Sequence, residues 1–177
     1  MSTEIDVCTW LRHWGAEAIP HPGGTLYAHL CRVRQRLAEL GQSPDVQMAA
    51  LAHAAYGTDG FDVALLDHTD RGPLRDLIGV DAEDLVHLYG ACDRKRSWPQ
   101  LAATGTVHDR FTGRAVSVRA DRLTPLVDLS IANELDVVEH LASVSDAHVA
   151  YLRELFAAWS PAASAAVRGE VARVLGG

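Results

Sequence analysis

The side chains best suited to chemistry in this chain are two histidines set among apolar residues, His29 and His53. His29 lies three residues after Leu26 and four before Val33, and His53 lies four after Ala49 and three after Ala50. On a helix, residues three and four apart share a face, so both rings are expected to point inward. About a turn at Gln42, His29 stands 13 residues before and His53 11 after. In an antiparallel helical hairpin this sets the two at the same height to within about 3 Å. Facing imidazoles can share one divalent metal or act as general acid and base. The plain alternative is two core histidines, each satisfied by a carbonyl.

One metal held by two histidines needs a third protein donor. His21, a few residues before the first hairpin helix, is the best placed, with Asp93, Asn133 and Glu134 as further N or O donors for Fe, Mn or Zn. Tyr56 and Thr58 fall one turn beyond His53 and bring hydroxyls toward the same cavity, while Arg71 and Arg94 can clamp a carboxylate or phosphate. The candidate catalytic set is therefore His29, His53, Tyr56 and Asp93. Thr58, Arg71, Arg94 and Asn133 are the candidate substrate contacts, and His21, His29 and His53 the candidate metal ligands. Packing, capping and solvated charge are the ordinary alternatives for each.

The elements that position these residues are mostly helical. Thr3 and Asp6 suggest a capping box for a first helix with Ile5, Cys8, Leu11 and Trp14 on one stripe, ended by Gly15. A Pro- and Gly-rich loop over 16–24 then delivers His21. Thr25 caps a helix with the stripe Leu26, Leu30, Val33, Leu37 and Leu40. After Gly41, Ser43 and Pro44 open the next helix, with Val46, Ala49, Ala50 and His53 inward as far as Gly57. Residues 58–72 form a loop with a helical turn near 63–66, followed by a short helix over 73–78 and one capped by Asp81 that carries Leu85, Leu88, Tyr89 and Cys92. Thr112-Gly113, flanked by Val107 and Phe111 before and Val116 and Val118 after, predicts a β-hairpin over 106–119. Helices over 123–141, 145–159 and 161–175 complete the chain.

Two segments carry a family resemblance. His29-Leu-Cys-Arg-Val-Arg followed by Ala49-Ala-Leu-Ala-His53-Ala resembles the first two metal-binding segments of the HD-domain superfamily, mostly metal-dependent phosphohydrolases with an oxygenase branch. The likeness spans roughly residues 25–141, with the carboxy-terminal helices outside it. It implies a mainly α, HD-like helical bundle with the β-hairpin as a small insertion. Where that superfamily carries two aspartates, this chain has Ala54 and, in Leu129-Ser-Ile-Ala-Asn133-Glu-Leu, Asn133. The stretch Leu51-Ala-His53-Ala-Ala-Tyr56-Gly57-Thr58, with Asp93-Arg94 and Ile131-Ala-Asn133-Glu134, is similar to an HD-like family of unknown function that also lacks the His-Asp pair. The resemblance implies a small-molecule enzyme using the histidine pair, or else a catalytically silent HD-like module that binds a small ligand or forms a homodimer.

Composition narrows the partners. The chain has 177 residues, 48% of them hydrophobic, which suits one domain with its own core. A formal charge of −7 disfavours nucleic acid and anionic membranes. Cys8, Cys31 and Cys92 lack CxxC spacing and read as reduced thiols, and no apolar run suits a transmembrane helix or signal peptide, so a cytoplasmic location is expected. No P-loop, GxGxxG, HExxH or GxSxG motif is present.

Overall fold

The computed structural model describes residues 4–61 and 63–176. Its helices are α1 (Glu4–His13), α2 (Leu26–Glu39), α3 (Pro44–Ala52), α4 (Gly72–Ile78), α5 (Val80–Ala91), α6 (Arg94–Ser97), α7 (Leu101–Thr104), α8 (Ala120–His140), α9 (Asp146–Trp159) and α10 (Ala165–Leu175). Two small antiparallel hairpins interrupt them, β1 (Pro20–His21) with β2 (Gly24–Thr25), and β3 (Thr106–Asp109) with β4 (Arg114–Ser117). The architecture is a mainly helical bundle with small hairpin insertions. The first hairpin lies where the sequence suggests only a loop, since two-residue strands leave no periodicity to read.

The α2–α3 hairpin is built as its caps dictate. Thr25 Oγ1 accepts from the Ala28 N–H at 3.2 Å, Ser43 Oγ accepts from the Val46 N–H at 3.4 Å, and Pro44 supplies a first helical turn that needs no amide hydrogen. Its facing stripes are sealed. Leu30, Val33, Leu37, Ala50 and Leu51 are fully buried and Val46 nearly so. α8 packs across the hairpin and α5 against α3, so α8 runs as the central wall, buried without a break from Leu126 to Asp136.

Several expectations are corrected. In α1 the buried residues are Val7 and Leu11, while Ile5 and Trp14 are exposed, so the apolar stripe is phased toward Val7. Thr3 of the expected capping box lies outside the described residues. α3 stops at Ala52 with His53 as its cap residue, and residues 53–56 form turns before Gly57 reverses the chain at φ +71°. The stretch 63–66 contains no helical turn. α5 starts at Val80 behind Gly79, so Asp81 sits in its first turn and pairs with Arg122 instead of capping. α10 begins at Ala165 with Ser164 as its cap, because the Ser164 oxygen accepts from the Val167 N–H at 3.4 Å. Among the described residues, no helix is long and apolar enough to cross a membrane.

Candidate functional site

His29 projects from the first turn of α2 and His53 from the end of α3, and their ring centroids lie 5.2 Å apart, nearly perpendicular. The two Nε2 atoms face each other at 3.3 Å. Each outer nitrogen is tied down. His53 Nδ1 donates to the Ala50 carbonyl at 2.7 Å, and His29 Nδ1 donates to Asp136 Oδ2 at 2.6 Å. Both rings are about as buried as the leucines around them, with 1% and 2% exposure.

These partners fix where the hydrogens sit. A carbonyl only accepts, so His53 carries its hydrogen on Nδ1 and offers a bare Nε2. Burial, reinforced by the neighbouring His29, pushes the His53 pKa down to about 3, which keeps this ring neutral. His29 Nε2 meets that lone pair and also Asn133 Oδ1 at 3.0 Å. The Asn133 amide cannot be turned round, because its Nδ2 donates to Glu134 Oε1 at 2.9 Å. His29 Nε2 thus faces two acceptors and Nδ1 a third, a pattern that calls for a hydrogen on both nitrogens. Asp136 completes the pair. Burial pushes its carboxyl up, but hydrogen bonds from His29 and from Arg32, at 2.8 Å to Oδ1 and 2.9 Å to Oδ2, outweigh this and hold it well below the usual carboxylate range.

His21, on β1, stacks on His29 with centroids 4.0 Å apart and 27° between planes. Burial and then the proximity of His29 push its pKa down to about 4. A metal lies in the plane of each imidazole that binds it, and stacked planes share no point within bonding distance. His21 is therefore not placed as a third ligand beside His29 and His53. What converges there is two imidazole nitrogens and one neutral amide oxygen, without a carboxylate. Asp136 lies behind His29, and Glu134 is held by Arg94 and Asn133. No group of three or more His, Cys, Asp or Glu among the described residues is arranged to hold a metal ion. The donors do not fit the divalent metal that the HD likeness implies.

The histidines open onto a pocket of about 300 Å³, whose polar wall includes Thr58, Asp59, Arg94, Asn133 and Glu134. Arg94 Nη1 donates to Glu134 Oε1 at 3.0 Å and Nη2 to the Tyr89 hydroxyl at 2.7 Å, while its backbone N–H donates to Asp59 Oδ2 at 2.8 Å. The guanidinium lies over the Trp98 ring, 4.9 Å from its centroid. A second hollow of about 270 Å³, between α8, α9 and α10, is lined mostly by apolar groups such as Ile131, Phe156 and Val171. The facing histidines are at the first.

Three candidates stand apart from the pocket. The turns after Ala52 carry Tyr56 away from the His53 face, and its hydroxyl donates to the buried Glu83 at 2.8 Å. Arg71 and Arg75 grip that same Glu83 and Asp84 in an ion-pair cluster on α5, so Arg71 is engaged there and does not line the histidine pocket. Asp93 caps α6, its Oδ1 accepting from the Arg96 N–H at 3.0 Å. Asp136, Arg32 and Asp59 are site residues that the sequence reading passes over. A signal for Asp136 exists. It lies three residues after Asn133, one turn along the same helix face.

No curated protein and no solved structure matches the chain. Residues 10–94 match a family model described as a domain of unknown function (DUF6817), a stretch that contains His21, His29, His53, Asp59 and Arg94 and stops short of Asn133 and Asp136 on α8.

Proposed function

We propose that the pocket is the active site of a small-molecule enzyme that works by metal-free proton transfer, with His29 as the proton donor. The observation that carries this reading is the opposed pair of Nε2 atoms at 3.3 Å, with the outer nitrogens fixed by Asp136 and Ala50. An incoming substrate replaces His53 as the acceptor of the His29 Nε2 hydrogen. After transfer the His29 ring is neutral, and it stays oriented by its Nδ1 bond to Asp136, the role a carboxylate plays behind a catalytic imidazole. His53, kept neutral by burial, holds the hydrogen in the resting site and excludes water from it. Arg94, Asp59 and Thr58 supply polar contacts to the ligand. On this reading the chain is an HD-like fold that has exchanged metal chemistry for acid–base chemistry, with Asn133 accepting a hydrogen bond where the HD superfamily carries a carboxylate.

A second reading is a silent ligand-binding module, and one observation favours it. The His29 Nε2 hydrogen is already satisfied by His53 and Asn133 without a ligand. One experiment separates the two. Small polar metabolites bearing hydroxyl, carboxylate or phosphate groups are screened for thermal stabilisation, and binders are tested for turnover. The enzyme reading predicts that His29→Gln and His53→Gln each remove most turnover, with the double variant little worse than either. Binding without turnover in the wild type supports the module instead.

A further inference from the structure

One guanidinium touches both halves of the site. Arg32 Nε and Nη2 hold the two oxygens of Asp136 at 2.8 and 2.9 Å, while Nη2 and Nη1 reach the carbonyls of Pro22 and Gly23 at 3.1 and 3.4 Å. Those carbonyls form the turn of the β1–β2 hairpin, whose first strand lays His21 flat on His29. Two-residue strands do not hold a hairpin closed by themselves. We propose that Arg32 is a positioning residue that couples closure of this hairpin over the pocket to the orientation of His29. The proposal rests on the reading of His29 as the proton donor.

The other side of the hairpin supports the same coupling. Gly23 adopts φ +78°, and a Cβ there would lie 2.7–2.8 Å from the His140 side chain, including its own Cβ, so the turn closes only with glycine. His140 lies one helical turn after Asp136, its Nδ1 donating to the Asp136 carbonyl at 2.8 Å and lying 3.4 Å from Oδ1. The charged and titratable groups acting on the hairpin's own histidine are therefore His29, Asp136 and Arg32, with His140 beyond the turn. A planar fork serves this geometry and an ammonium does not. Lysine in place of Arg32 keeps the charge but cannot span a carboxylate and two carbonyls together.

The test tracks histidine ring resonances by NMR across a pH titration of the full chain. The variants are Arg32→Gln, Arg32→Lys and Gly23→Ala. Arg36→Gln is the control, because Arg36 sits one turn along α2 and pairs with Glu139 and Glu170 instead. In the wild type, burial and the neighbouring His29 are expected to hold the His21 midpoint near pH 4. Both Arg32 variants and Gly23→Ala are expected to move its midpoint toward the ordinary value of about 6.5 and to alter the His29 Nδ1 resonance, whereas Arg36→Gln moves neither. The shift in Arg32→Lys and Gly23→Ala rules out simple loss of charge. If Gly23→Ala frees His21 while the His29 resonance stays unchanged, or if Arg32→Lys behaves as wild type, the coupling is wrong. No turnover is read, so a silent site leaves the result interpretable, and a failed coupling leaves the His29–His53 pair standing.

Discussion

The buried, neutral His53 makes the stability of this protein fall as the solution is acidified. In the unfolded chain a histidine takes up its proton near pH 6.5, whereas in the folded chain His53 does so only near pH 3. Between those values the unfolded state binds the extra proton, so stability rises with pH across the window and is complete above about 6.5. At pH 5 the contribution is a loss of about 2 kcal/mol relative to neutral pH, since each pKa unit is about 1.4 kcal/mol. That figure hardly changes if the folded value lies a unit higher. His21 acts in the same direction but is only partly buried. Asp136, whose folded pKa is depressed, contributes stability that is present above its unfolded value near 3.9 and is lost as the pH falls below it, outside the range from pH 5 to 7. Urea unfolding at pH 5, 6 and 7 on the wild type and His53→Gln reads the effect, because the histidines that do not touch His53 cancel in the difference. The wild type should lose about 2 kcal/mol more than the variant between pH 7 and 5. Equal slopes for the two proteins would refute the reasoning.

Leu37, fully buried in the hairpin stripe, should lose about 2–5 kcal/mol on truncation to alanine, and a urea midpoint close to wild type would mean that α2 is wrongly phased. Asp136→Asn breaks a buried pair with His29 and should lose about 3–5 kcal/mol, read by the same unfolding assay. Because the donors around His29 do not fit a divalent ion, elemental analysis of protein purified without chelator should find less than stoichiometric metal. EDTA should leave the thermal midpoint unchanged. Hydrolysis of phosphomonoesters or cyclic nucleotides should not respond to manganese, and robust manganese-dependent turnover would overturn the donor argument.

The α2–α3 hairpin was legible because every signal in it agrees. Thr25, Ser43 and Pro44 mark its helix starts, and the stripe from Leu26 to Leu37 sets the phase of His29. Matched distances from the turn then placed His53 opposite. α1 was harder to phase because Ile5 and Trp14 continue an apolar spacing that the tertiary packing ignores in favour of Val7 and Leu11. Tyr56 leaves the His53 face because residues 53–56 turn where the sequence spacing continues α3, and that early end has no marker before Gly57. Arg71 and Asp93 looked available because their partners, Glu83 and the Arg96 amide, are set by packing and capping that pairwise spacing does not reveal. Asp136 and Arg32 went unread for a related reason. A carboxylate and a guanidinium 104 residues apart declare themselves a pair only once α8 crosses α2.

The central claim is that His29 and His53 form one unit, and the most direct measurement is the NMR titration of the His53 ring in the wild type and in His29→Gln. Burial and the neighbouring imidazole together hold His53 near pH 3. In the wild type, His53 should show hydrogen on Nδ1 alone and His29 on both nitrogens. In His29→Gln the His53 midpoint should rise and its Nε2 resonance should move, because the hydrogen that Nε2 accepts at 3.3 Å is gone. An unchanged His53 resonance and midpoint in that variant would contradict the account.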